Sequence, residues 1–379
     1  MTRPKWLRLP ALLLVLIAAL AGCGGQGEGK SAETEETSLT IMSWNLQLLF
    51  DGTEDGTEYA EFRESAGWNR EKYMARLNAI AGALAELDSP PDVIAMQEIE
   101  SARVVADLAS ALPNLGYNWA YFAGKPGMAL GIGLISRFPV ERAVSHSAFI
   151  EGDLIPRPVL EVEVRVREAG GEGRAEESGS VLLFVCHWKS KLGGEDKTES
   201  TRMASARVIL RRIRELAELR PELPVIVVGD LNINHDEFLK GGGLAMKSLV
   251  PDSRAAAELA LAYRPAGIPR SGQRDFIVIS HEKPPAARHF PAGTVALYSP
   301  WTVEKSGGSY FFRNSWETID HFLLSPRFFG PAGWEFVDSR VLDVRPFVDQ
   351  AGKPNAYNPR TGRGLSDHLP IMLVLRLPE

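Results

Sequence analysis

Pro224-Val225-Ile226-Val227-Val228-Gly229-Asp230-Leu231-Asn232 is the stretch that decides the fold. Its apolar run has no polar alternation, so both faces of the strand it forms are buried, as in a layered α/β protein. Immediately upstream, a helix is predicted from about Glu199 to Arg220, with Met203, Ala206, Leu210, Ile213 and Ala217 on one face and Pro221 preventing its continuation. Outward from there the pattern repeats. Strands are predicted at Leu39–Trp44, Asp92–Gln97, Ile132–Phe138, Val159–Val166, Val181–Trp188, Val225–Gly229, Thr318–Ser325 and Ile371–Leu377. A second helix carries Tyr73, Leu77, Ile80, Leu84 and Leu87 as one stripe, with Asn69 as its N-cap. Leu160 to Val166 alternates strictly, so one face of that strand is expected to meet water. Glu168 to Gly179 reads as an exposed hairpin loop, and Gly241 to Gly243 as a turn without the spacing of a phosphate cradle. No internal repeat and no linker after Ser38 divides the chain, which implies one domain over residues 39–379, and a monomer is expected.

The 379 residues are 45% hydrophobic and 24% charged, which excludes a disordered chain, a collagen-like fibre and a multi-span membrane protein. Two cysteines exclude a disulfide-dense scaffold. The N-terminus reads as an export signal: Arg3, Lys5 and Arg8 precede an apolar run, Leu9 to Leu20, too short to span a bilayer comfortably. The ending Leu20-Ala21-Gly22-Cys23 resembles the lipobox of bacterial lipoproteins. That resemblance implies a signal peptide over residues 1–22, lipidation of Cys23, and a polar tether over 23–38 that holds the protein on a membrane outside the cytoplasm. Without the three signal cations the formal charge of −6 becomes −9. This argues against a generally basic nucleic-acid coat but not against an enzyme that meets phosphate through a metal.

Polar residues collect where the apolar runs end. Trp44-Asn45, Gln97-Glu98, Cys186-His187, Gly229-Asp230-Leu231-Asn232, Ile319-Asp320-His321 and Ser366-Asp367-His368 each adjoin a strand. Singly these are turn formers or caps. Together they suit one task, because carboxylates and amides without a cysteine cluster favour a hard cation, Mg²⁺ or Mn²⁺. His187 and His368, with a spare carboxylate to orient one ring, suit acid–base work around a phosphoryl group.

These segments, with Met96-Gln97-Glu98-Ile99-Glu100, Gly133 to Pro139, His187-Trp188-Lys189-Ser190 and Ser366 to Pro370, resemble the endonuclease/exonuclease/phosphatase superfamily in the family's order. The superfamily includes deoxyribonuclease I, inositol polyphosphate phosphatases and bacterial sphingomyelinases. The resemblance implies an α/β four-layer sandwich of two packed mixed sheets flanked by helices, with the site at one rim. It implies Glu98, Asn45 and Asp367 near a Mg²⁺ or Mn²⁺ ion, and Asp230 and Asn232 orienting water and phosphoryl oxygens. It implies His368, held by Asp320, and His187 flanking the scissile phosphate. Lys189 and Lys191, with Asn45, would contact the substrate, and the likeness of His187 to Gly194 to secreted bacterial nucleases points to DNA or RNA. The alternatives are a sphingomyelinase-like lipid phosphodiesterase or a phosphatase. The former would use a membrane-touching hairpin around Phe290 to Tyr310, with Leu297, Tyr298, Pro300 and Trp301. Tyr310 to Arg313 and Trp316 could stack bases or clasp a lipid head group. A catalytically inactive binding lipoprotein need not keep this whole set of residues.

Overall fold

A computed structural model describes residues 37–150, 152–167, 178–240, 247–262, 276–301 and 307–378. The signal, Cys23 and the tether up to residue 36 lie outside the described residues, as do Gly241 to Gly243 and the body of the Glu168–Gly179 loop, whereas Thr37 and Ser38 at the end of the expected tether belong to a strand paired with the C-terminal one. Along the first half run β1 (Thr37–Leu49), α1 (Arg70–Ala85), β2 (Val93–Ile99), α2 (Ala102–Ser110), β3 (Trp119–Ala123), β4 (Gly131–Ser136) and β5 (Val140–His146). A small hairpin, β6 (Phe149–Ile150) and β7 (Asp153–Leu154), leads to β8 (Val159–Arg167), β9 (Ser178–His187), α3 (Glu195–Leu219) and β10 (Val225–Asp230). Then come α4 (Glu237–Lys240), β11 (Leu249–Pro251), α5 (Arg254–Ala262), β12 (Ile277–Ser280) and β13 (Ala296–Tyr298). A second hairpin, β14 (Tyr310–Phe312) and β15 (Ser315–Glu317), precedes β16 (Asp320–Leu324), β17 (Glu335–Val341) and β18 (Ile371–Leu377).

Two mixed sheets result. One has the order β17-β18-β1-β2-β4-β3, the other β11-β12-β13-β16-β10-β9-β8-β5. Alternation along the strands explains why they stack. Ile41, Val93, Ala95 and Leu134 of the first sheet share one buried core with Val162, Leu183, Val185, Ile226, Val228 and Phe322 of the second. Their neighbours Met42, Trp44, Ile94 and Met96 point the other way, onto Leu77, Ile80 and Leu84 of α1 and Val104 of α2. Leu182, Phe184, Val225 and Val227 likewise face Ala206, Ile209 and Leu210 of α3. Helices, sheet, sheet and helix make the four layers expected from the sequence.

The run Val225–Val228 is buried on both faces, and Asn69 caps α1 by accepting from the Lys72 N–H at 3.0 Å. Helix α3 starts one turn earlier than its apolar stripe suggested, and Leu216 rather than Ala217 is the buried residue near its end. The alternating strand β8 departs from expectation: Glu161 and Glu163 do not meet water. Helix α3 covers that face, and Arg212 and Arg220 reach the two carboxylates at 2.8 and 2.7 Å. In the segment expected to touch a membrane, Leu297, Tyr298, Pro300 and Trp301 are instead buried, while residues 302–306 lie outside the described residues. The Trp301 indole donates to the Asp320 carbonyl at 2.8 Å. Among the described residues no helix is long and apolar enough to cross a membrane.

Candidate active site

Strand register builds the site. Parallel pairing of β9 with β10 sets His187 beside Asp230, and antiparallel pairing of β10 with β16 sets Asp230 beside Asp320. Directly opposed residues share a face, so three functional side chains form a row across one sheet. Gly229 makes the row possible: its φ is +130°, and a Cβ there would lie 2.1 Å from the Cys186 carbonyl oxygen.

The facing sheet contributes through two irregularities. Register shifts between Asn45 and Leu49 on β1 and between Gln97 and Ile99 on β2. Within them Gln47, Leu48 and Glu98 adopt φ of 46°, 60° and 61°, a left-handed conformation that costs ~1–3 kcal/mol per residue. The bulges turn backbone and side chains toward the rim. The Leu48 N–H donates to Glu98 Oε2 at 2.8 Å, and the Gln47 N–H donates to Asn45 Oδ1 at 2.9 Å. Asn45 Nδ2 then crosses between the sheets to donate to Asp230 Oδ2 at 3.1 Å. His187 Nε2 stands 3.8 Å from Glu98 Oε1 and 3.5 Å from Asp230 Oδ2. Asp230 Oδ1 accepts from the Asn232 N–H at 2.9 Å, and the Asn232 amide donates to the Trp188 carbonyl at 3.1 Å.

His368 completes the rim from the segment before β18. Its Nδ1 is 2.8 Å from Asp320 Oδ2, an oxygen that also accepts from Ser309 Oγ at 2.5 Å. Tyr310 stacks on the imidazole with ring centroids 4.4 Å apart. Burial works against a charged ring here. The Asp320 carboxylate, by charge and hydrogen bond, together with Asp367 and Asp230, outweighs it and raises His368 to about 10. His187 shows the opposite behaviour: burial, then the positive Arg157 and His368, hold it well below its ordinary value. One histidine is therefore an imidazolium at neutral pH and the other is a neutral ring.

The carboxylates are pushed upward. Burial and the Asp367 charge raise Glu98, and burial is the main cause for Asp367. Burial and Asp320 raise Asp230 to about 7. Acids crowded away from water in this way fit a divalent cation, whose charge offsets their repulsion. Donor atoms of Asp230, Asp320 and His368 lie within 4.8 Å of one another. A protonated His368 is no ligand, however, so the oxygens of Glu98, Asn45 and Asp367 suit a hard ion better.

Three site residues escaped the sequence reading. Arg157, on the loop before β8, donates to the Trp188 carbonyl, and its charge acts on Asp230 and Glu98. Its only sequence signal was an arginine set between Pro156 and Pro158. Arg76 of α1 is fully buried and donates to the carbonyls of Leu46, Gln47 and Leu48 at 2.6, 2.6 and 2.8 Å. It also reaches the Leu365 carbonyl at 3.5 Å, so one guanidinium ties the β1 bulge to the segment bearing Asp367 and His368. Tyr310 is expected from the sequence to stack bases or clasp a lipid head group, and nothing in the sequence marks its stacking on His368. Lys189 stands half-buried, with burial and Arg157 lowering its pKa. Lys191 is corrected: Glu237 and Glu317 hold its ammonium at 2.9 and 3.1 Å, so its charge is already matched. His321 belongs to the core, bonded to the Ile233 carbonyl at 2.8 Å.

A family model described as the endonuclease/exonuclease/phosphatase family matches residues 40–258. The chain belongs to that family. Among curated proteins no relative matches. Similar solved structures include a truncated TDP2 from Caenorhabditis elegans, at 15% identity and TM-score 0.48, covering 90% of this chain and 98% of that one. An endonuclease/exonuclease/phosphatase from Bacteroides vulgatus is 16% identical with TM-score 0.48, over 90% of this chain and 100% of that one. A mannosyl-6-phosphatase from Bacteroides thetaiotaomicron is 18% identical with TM-score 0.43, over 89% and 99%.

Proposed function

We propose that this family member is a divalent-metal-dependent phosphodiester hydrolase that cuts nucleic acid outside the cytoplasm, from a membrane anchor at Cys23. The observation that carries the reading is the convergence at one rim of His187 with Glu98 and Asp230, 3.8 and 3.5 Å away, of Asn45 bonded across to Asp230, and of His368 paired with Asp320. A substrate phosphate between the two rings meets a fixed positive charge on one side and a proton acceptor on the other.

Glu98, Asn45 and Asp367 would hold Mg²⁺ or Mn²⁺, which when bound supplies positive charge to the phosphoryl oxygens. Asp230 has both oxygens fixed, one by Asn232 and one by Asn45, so it aligns an attacking water in line with the leaving group. Its pKa near 7 suits proton uptake at neutral pH. His368 stabilises the charge that develops on the phosphoryl group, and Asp320 keeps its ring oriented and protonated. His187 and Asn232 complete the cradle, with Arg157 and Lys189 adding positive charge beside it. A side-by-side assay on plasmid DNA, RNA, sphingomyelin and inositol phosphates tests the reading. Cleavage of DNA or RNA is expected, and turnover confined to sphingomyelin or inositol phosphates would overturn it.

A further inference from the structure

A cleft of about 800 Å³ opens between the β1 bulge, the loop after β1 and the loop that precedes His368. Its lining includes Gln47, Leu48, Tyr59, Glu61, Tyr357 and Arg360. The inner wall is the same backbone that orients the site, because the N–H groups of Gln47 and Leu48 bond Asn45 and Glu98. The cleft thus shares a stretch of backbone with the two residues Asn45 and Glu98. The Gln47 side chain fixes the floor by bonding the backbone of Tyr357 twice, at 2.7 and 3.2 Å. Tyr59 leaves 45% of its surface exposed and meets Phe50 in a T-shaped contact, ring centroids 5.6 Å apart. Its phenol is near enough to Arg157 to act on that guanidinium. Arg360 is exposed and makes no ion pair among the described residues.

We infer that this cleft is a subsite for the nucleoside next to the scissile phosphate, with Tyr59 stacking on its base and Arg360 meeting the following phosphate. The inference rests on the phosphodiesterase reading above and deepens it. Size agrees, since clefts of about 300–1,000 Å³ hold ligands of this class. Chemistry agrees as well. Bases stack on an aromatic face whatever their identity, and an unpaired arginine is a phosphate contact.

The test compares kcat/KM of the full chain on short oligothymidylate and on bis-p-nitrophenyl phosphate, which has no base and no second phosphate. The wild-type ratio is expected to favour the oligonucleotide by at least about tenfold, given the usual strength of base stacking. Tyr59→Ala and Arg360→Ala should each cut that ratio about tenfold, while Tyr59→Phe retains it. Anisotropy of a labelled oligothymidylate in EDTA reads the cleft without turnover. If bis-p-nitrophenyl phosphate is not hydrolysed but binding still weakens about tenfold in Tyr59→Ala, the phosphodiesterase reading fails and the subsite stands. A ratio and a binding constant untouched by both variants would overturn the subsite. So would binding to sphingomyelin vesicles that Tyr59→Ala abolishes.

Discussion

Replacing Asp320 by Asn keeps the shape of the residue and removes the charge that His368 depends on. In the wild type, Asp320 Oδ2 sits 2.8 Å from Nδ1, and the buried ring is raised from 6.5 to about 10. At ~1.4 kcal/mol per pKa unit, that gap corresponds to roughly 4–5 kcal/mol of preference for the imidazolium. With the carboxylate gone, burial is opposed only by the charges of Asp367 and Asp230, and the ring is expected to fall back toward its ordinary value of 6.5. At pH 8 the charged fraction then falls from nearly all molecules to about 3%. Turnover of bis-p-nitrophenyl phosphate by Asp320→Asn should therefore drop ~30-fold at pH 8. The alkaline limb of its pH profile should move from near 10 toward 6.5. Stability carries the same signature. A histidine whose folded pKa is raised stabilises fully below pH 6.5, and that contribution is lost as pH rises through about 10. The wild type should lose thermal stability across that window, and Asp320→Asn should not lose this component. A variant with wild-type turnover at pH 8, or an imidazole resonance of His368 that still titrates near 10 by NMR, would refute the reasoning.

Glu98→Gln should be more stable than wild type in EDTA, because burial and Asp367 make an ionised Glu98 costly in the folded state at neutral pH. Mn²⁺ at a hundred times its dissociation constant should stabilise the wild type by about 2.7 kcal/mol and leave Glu98→Gln unmoved in a thermal-shift assay; equal shifts would remove Glu98 from the ligand set. Arg76→Met strips donors from three buried carbonyls and should cost ~3 kcal/mol or more by urea unfolding, with a weakened response to Mn²⁺. A wild-type unfolding midpoint would show that the clamp is dispensable. Cys23→Ser should shift the protein from the membrane to the soluble fraction, and retention on the membrane would point to another anchor.

Much of the site was legible because its polar residues adjoin apolar runs. His187 and Asp230 close β9 and β10, Asp320 opens β16, His368 precedes β18, and Asn45 and Glu98 lie where bulges interrupt β1 and β2. Arg157, Arg76 and Tyr310 were not legible. Each reaches the site from a loop, a helix or a hairpin through contacts between residues far apart in sequence, which periodicity does not encode. The fold shows the same division. The runs that became β2, β10 and β18 have a clear apolar signature, whereas β11 to β13 are three or four residues each, below what pattern counting resolves. Strand β8 fooled the alternation rule because α3 supplies Arg212 and Arg220 to its glutamates. A polar face is not always a wet one.

The central claim is that these residues hold a divalent cation and hydrolyse a phosphodiester. Its most direct test is the rate of bis-p-nitrophenyl phosphate hydrolysis by the purified chain, first with EDTA and then with Mg²⁺ or Mn²⁺ added back in excess. Turnover should vanish with chelation and return with the metal, and His368→Ala should stay inactive in both conditions. Hydrolysis that continues in EDTA, or that His368→Ala performs at the wild-type rate, would contradict the account.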